Sequence, residues 1–328
     1  MKNFIRNISK SFKLKLKQFF TKENIKKHGI EFILVSLLLA IDILVAYLFQ
    51  YQTEHNKIYS ANLYVIFLCA FYILYLLKLF ISDKKSTSDL MIVIYVFFLF
   101  WDISYKAGWV QNDLLIPSPE GLFDVFESDN AYLMKNVFDS LKLLFFGFLL
   151  AILSGTILGL FVGWFQRARE VMIPIANAIT LIPPILITAW LIMWFHFEIA
   201  AIAIIYLSVF WPLFQTTIHR VSEIDKKIIE AARVMGVSNL GMIFTVILPY
   251  SLPGIISGIS KSLRGAFMCL VAAEMIGING GIGFYTETYK AYADYRRVLA
   301  GIVTIGFITS IMDLIIKRIE HGLVKWKV

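Results

Sequence analysis

The 328-residue chain is 59% hydrophobic, 15% aromatic and only 16% charged, with a mean hydropathy of +0.73 and a formal charge of +8. A soluble domain carries about 25% charged residues, so this chain lacks the polar surface a dissolved protein needs. A soluble enzyme is excluded, and the placement of the positive charge, set out below, points away from nucleic acid. The two cysteines, Cys69 and Cys269, lie inside apolar blocks and offer neither a disulfide framework nor a metal knuckle.

Residues 1–29 form a basic, partly amphipathic tail in which Phe4, Ile8, Phe12 and Leu16 recur at helical spacing. It reads as a cytoplasmic, interfacial stretch attracted to anionic membrane lipid. The first apolar block begins too late and runs too long for a cleaved signal. Eight hydrophobic segments follow, at roughly 31–49, 61–81, 90–106, 141–164, 171–195, 198–218, 251–276 and 298–316. Each is long enough for about 30 Å of hydrocarbon, the third only marginally. With the N-terminus in the cytoplasm, the internal loops and tails carry 21 Lys and Arg, the external ones five. That asymmetry puts both termini inside.

Gly155, Gly159 and Gly163 of the fourth segment make two overlapping small-xxx-small steps, with Gly147 further back on the same face. This face is expected to pack closely on another helix. Pro183-Pro184 interrupts the fifth segment, and Trp190, Met193, Trp194 and His196 follow. Two readings stand for the break: a kink, or irregular backbone beside a translocation pathway, to which Trp211 would also contribute. Lys261 and Arg264 share a face of the seventh segment, and Glu274 lies ten residues on. Charges within a span are functional candidates. Two readings again stand, with the cations snorkelling inward and Glu274 at the outer mouth, or all three lining the pathway. The run Gly277, Gly280, Gly281, Gly283 fits neither phosphate-loop pattern and is expected to be a turn or re-entrant loop.

The cytoplasmic stretch between segments six and seven carries the strongest pattern. Ser222 and Asp225 have capping-box spacing, which predicts a helix start at Ser222. Ile224, Ile228, Ala231 and Met235 then form an apolar stripe, Gly236 is placed to end the helix, and Pro249 and Pro253 are expected to break the chain before the membrane. A short amphipathic helix within 222–240, shaped to enter a groove, results.

Glu230-Ala231-Ala232, Gly236 after three intervening residues, and Ile247-Leu248-Pro249 together resemble the "EAA" signature of permeases of binding-protein-dependent ABC importers. The stretch Leu115–Pro119, the residues around Pro183-Pro184, Met193-Trp194-Phe195, Trp211-Pro212, Val271–Phe284 and the ending through Trp326 are similar to the nitrate/sulfonate/taurine branch. The resemblance covers about 111–328 and implies an all-α polytopic membrane protein with the type I ABC-importer transmembrane fold. About eight helices would divide into a six-helix core at 89–328 and two extra helices in an extension at 30–88. It implies a permease for a small anionic solute of nitrate, sulfonate, taurine or bicarbonate type, multi-pass in a bacterial inner membrane.

The partners implied are a second permease subunit in a homodimer, two cytoplasmic ATPase subunits and an external solute-binding protein, with no nucleic acid. Glu230, Ala231, Ala232, Arg233 and Gly236 would couple to the ATPase. Pro183, Pro184, Trp190, Met193, Trp211, Lys261, Arg264 and Glu274 are the pathway candidates. The chain has no G-x-x-x-x-G-K-[ST]. ATP and Mg2+ would therefore be bound by the partner ATPase, with no catalytic, cofactor or metal site here. The alternative in another class is an ATP-independent secondary transporter or channel, which broken helices and intramembrane charges would suit.

Overall fold

A computed structural model describes residues 22–48, 59–81, 85–109, 117–277 and 279–323. Most of the basic tail, Leu115, Ile116 and Trp326 lie outside the described residues. The described chain is almost wholly helical. Seven helices are long and apolar enough to cross a membrane, and a bent pair makes an eighth when taken as one span. The chain forms two compact units, Met1–Asp129 with Ala293–Ala300, and Asn130–Tyr292 with Gly301–Val328.

The first unit contains α1 (Lys22–Leu48), α2 (Asn62–Ile81), α3 (Lys85–Lys106) and the short α4 (Pro119–Ser128). The third span, marginal by hydropathy alone, runs Ser86–Lys106 and is amply long. Its core is aromatic: Tyr64, Tyr75 and Tyr95 are fully buried around Val35, Leu68, Leu79 and Phe123. Each of these phenols faces the apolar interior with one polar atom to satisfy. Tyr75 pairs with Ser88 at 3.1 Å and Tyr95 donates to Leu68 O at 3.1 Å. Ser118 caps α4 by accepting from Gly121 N at 3.0 Å, with Pro119 in the first turn where its missing N–H costs nothing. Arg297 bridges Asp129 at 3.0 Å and Asp294 at 2.6 Å, tying 293–300 to α4.

The second unit is built on α5 (Asn130–Trp164), α8 (Phe197–Ser222) and α10 (Leu248–Gly277). The expected glycine face packs on α8. A Cβ on Gly147 would lie 2.8 Å from Ile205, on Gly155 3.3 Å from Phe210 O, on Gly159 2.6 Å from Thr217 and on Gly163 2.8 Å from Val221. Four glycines thus meet residues spread along α8, and side-chain deletion brings the two backbones together. The helix starts eleven residues before the apolar block. Leu133, Asn136, Val137 and Ser140 are buried on one stripe, so packing extends the helix past the hydropathy boundary.

α6 (Gln166–Thr180) and α7 (Thr188–Trp194) are the bent pair, joined through the Pro183-Pro184 break and a 3-10 turn at Pro184–Ile187, with a 77° change of direction. Two sequence expectations fail around the next loop. The helix α9 (Lys226–Val234) starts with Asp225 as its cap, not Ser222, which ends α8 and donates to His219 O at 2.7 Å. Nor do Pro249 and Pro253 break the chain: Asn239–Gly277 runs as one 39-residue helical span. A π-helical turn at Met242–Ile247 resets the hydrogen-bond ladder ahead of Pro249, which falls in the first turn of α10. Pro253 then forfeits a single bond inside the helix. The chain ends in α11 (Ile282–Ala291) and α12 (Tyr295–Leu323).

Candidate functional site

The loop helix α9 is fixed at both ends. Asp225 accepts from Lys227 N at 2.9 Å, satisfying a free donor of the first turn. At the far end Gly236 adopts φ +79°, donates to Arg233 O at 2.9 Å, and lets Val237 donate to Ala232 O at 3.2 Å. This pair of bonds is a Schellman stop, which needs a left-handed residue where glycine has no Cβ to clash. Ser238 caps the following turn through Gly241 N at 3.2 Å.

One side of α9 is rooted. Ile224 and Ala232 are buried with Ile229 and Val237 against Leu160, Leu213, Val221, Met242, Ile243, Ile247 and Ile255. The rest of α9 is bare: Ile228, Ala231 and Val234 (89% exposed) are exposed with Glu230 and Arg233, as are Met235 and Gly236 at its end and Leu240 in the following turn. Of the five coupling candidates, Glu230, Ala231, Arg233 and Gly236 are therefore presented, whereas Ala232 faces the protein. Ile224 likewise belongs to the root, not to the outward stripe. Val234 and Leu240 escaped the sequence reading, although Val234 stands three residues past Ala231 on the same face.

The structure brings some pathway candidates together and separates others. Pro184 and Trp211 line one apolar cavity of 210 Å³ with Ile179, Thr180, Ile182, Ile187, Leu207, Ser208 and Pro212. Pro183 is exposed beside it. Trp190 and Met193 stand out from α7, Trp190 with its ring 6.4 Å from that of Trp194. Lys261, Arg264, Gly265 and Met268 form an uncovered stripe on α10. Arg264 is not free in that stripe. It donates to Asp313 of α12 at 2.8 Å, and Asp313 also meets Lys317 at 2.7 Å. Asp313 went unnoticed in the sequence, though a lone acid in an apolar helix is itself a signal.

Glu274 is only 1% exposed. Ser140 Oγ donates to its Oε1 at 2.6 Å, Gly283 N donates to its Oε2 at 2.8 Å, and Ile282 N donates to Ser140 Oγ at 2.8 Å. The carboxylate of α10 and a hydroxyl of α5 thus cap the N-terminus of α11, a favourable place for negative charge. The glycine run is the tight turn into that helix. Gly281 has φ +98°, and a Cβ there would lie 2.2 Å from Glu274 Cδ. Among the described residues no group of three His, Cys, Asp or Glu could hold a metal ion.

Comparison with known proteins accords with this architecture. The family model for binding-protein-dependent transport system inner membrane components matches residues 144–325. The aliphatic sulfonates transport permease SsuC of Bacillus subtilis is 29% identical over 232 residues, 69% of this chain and 83% of its own length. The taurine transport permease TauC of Escherichia coli K12 is 29% identical over 218 residues, 66% and 77%. The inward-facing MetNI methionine ABC transporter has a chain that matches in fold with TM-score 0.55 and 19% identity, covering 60% of this chain and 98% of that one. The chain belongs to the family of binding-protein-dependent transport system inner membrane components, as a multi-pass ABC permease of the inner membrane.

Proposed function

We propose that this permease forms the pathway of an ATP-driven importer for a small organic anion of the sulfonate or taurine type. The relatives SsuC and TauC support that solute class by their names. The solute arrives on an external binding protein, two cytoplasmic ATPase subunits hold ATP and Mg2+, and a second copy of the chain completes the pathway. Both termini are cytoplasmic, which the loop charge asymmetry supports. Residues 1–88 are an extension beyond a permease core at 89–328, and the family match at 144–325 falls inside that core.

The observation that carries the reading is the bare outward face of α9 on a rooted base. Glu230, Ala231, Arg233 and Gly236 enter a groove of the ATPase, and Ala232 anchors the helix from behind. Movement of the ATPase subunits shifts α9, and through its root the spans it touches. Pro184 and Trp211 shape the pathway at the 210 Å³ cavity they line, and Pro183, Trp190 and Met193 contribute to it from the exposed faces of the same bent pair. Lys261 supplies positive charge for the anion, Arg264 adds to that charge only by exchanging its bond to Asp313, and Glu274 holds the turn into α11.

Purification of the tagged chain in mild detergent, with mass spectrometry of what accompanies it, tests this reading. An ATPase subunit should accompany the native chain and be lost from Ala231→Trp, whose bulk stands on an exposed face and leaves folding alone. An ATPase retained in full by Ala231→Trp, or absent from both after cross-linking, would overturn it.

A further inference from the structure

The first unit holds a cluster of ionisable side chains that transport, as read above, does not use. Asp42 lies inside the apolar span Ile30–Leu48 and is fully buried, and neither of its carboxyl oxygens has a hydrogen-bond partner among the described residues. Among the described residues, the titratable groups within electrostatic reach of it are Asp102 and Tyr95 from α3 and Tyr64 from α2. Tyr64 also stands within electrostatic reach of Asp102 and of Glu120 on α4. Tyr95 gives its proton to Leu68 O, and the Tyr64 hydroxyl has no partner.

A cation, Lys106, sits nearby and is fully committed. Lys106 Nζ lies 2.9 Å from Val45 O, 2.9 Å from Asp102 Oδ2 and 2.8 Å from Glu120 Oε1. An ammonium has three N–H donors, so none remains for Asp42. Its single charge is already set against two carboxylates, both buried. An ionised Asp42 would add a further negative charge with no bonded donor and no counter-ion among the described residues, which an apolar interior does not tolerate.

We propose that Asp42 is a proton-binding site, its carboxylate taking one proton from water so that the folded first unit carries it as the neutral acid. The ligand is the proton itself. A metal ion is the poorer occupant, because no three acidic, His or Cys side chains converge here among the described residues. The cluster is a feature of the N-terminal part of the chain and is independent of which solute the permease carries.

Infrared spectroscopy of the full chain in lipid nanodiscs at neutral pH tests the assignment. An undissociated carboxyl gives a carbonyl stretch that a carboxylate lacks, and 13C labelling of aspartate shifts it away from any glutamate signal. The expected result is an aspartate-derived band that loses one carboxyl's share in Asp42→Asn. An undiminished band in Asp42→Asn would overturn the proposal. So would a band seen in choline buffer but abolished by sodium, which would put an alkali cation in the site. Should the variant fail to fold, the labelled native chain still decides, since the absence of any aspartate-derived band there is fatal to the idea.

Discussion

Replacing Gly159 by alanine inserts one methyl group into the seam between α5 and α8. The added Cβ would stand 2.6 Å from Thr217 Cβ, 2.9 Å from Thr217 Cγ2 and 3.0 Å from Phe214 O. Neither neighbour yields easily. Thr217 is fully buried with its hydroxyl bonded to Leu213 O at 2.8 Å, and the second obstacle is backbone. The helices must part by roughly 1 Å, enough to forfeit a quarter to a half of each dispersion well along the seam. Overpacking of this kind costs about 1–3 kcal/mol, offset by up to about 1 kcal/mol of better helix propensity. At about 2–4 °C per kcal/mol for a unit of this size, the thermal midpoint in detergent should fall by several degrees. Gly306→Ala on α12 is the control, because nothing lies within 4 Å of its Cβ. Size-exclusion detection of the folded fraction after a temperature series gives both midpoints. If Gly159→Ala melts no lower than Gly306→Ala, the close-approach argument is wrong.

Glu274→Ala should destabilise the second unit more than Glu274→Gln, because alanine strands the Ser140 hydroxyl and the Gly283 N–H at about 1–3 kcal/mol each while glutamine keeps an acceptor. Thermal midpoints of the pair decide it, with amide exchange across 279–285 as the local readout; equal midpoints would remove the capping role. Asp225→Ala should fray α9, losing about 0.5–2 kcal/mol of cap energy and speeding amide exchange over 226–230. Ser222→Ala should leave that exchange unchanged, and the reverse pattern would restore Ser222 as the cap.

The features legible in the sequence are those that one residue imposes on its own neighbourhood. Gly147, Gly155, Gly159 and Gly163 announce a close helix contact because a missing Cβ is a local fact. Pro183-Pro184 announces a bend because two consecutive donors are gone. What escaped depends on pairs far apart in the chain. Glu274 and Ser140 are separated by 134 residues, and Arg264 and Asp313 by 49, so their meeting follows from how helices pack, not from hydropathy. The helix start at Asp225 was hidden for a related reason. Ser222 and Asp225 are both good caps, and the choice falls to Asp225 because α8 must continue far enough to bury Val221 in the core.

The position of α9 shows why its root carries as much weight as its face. Its buried Ala232, with Ile224 just ahead of it, belongs to one apolar cluster that also holds Leu160 of α5, Leu213 and Val221 of α8, Met242, Ile243 and Ile247 of the π-helical turn, and Ile255 of α10. On the coupling role proposed for α9, a push on the exposed Ala231 and Val234 would pass into this close-packed cluster, which transmits displacement instead of absorbing it. The chain leaves α9 through a glycine stop and enters α10 through a π-helical turn. A surface helix of nine residues would fray if it stood alone. Capped by Asp225, stopped by Gly236 and pinned by Ile224 and Ala232, it is stiff enough to act as one solid part.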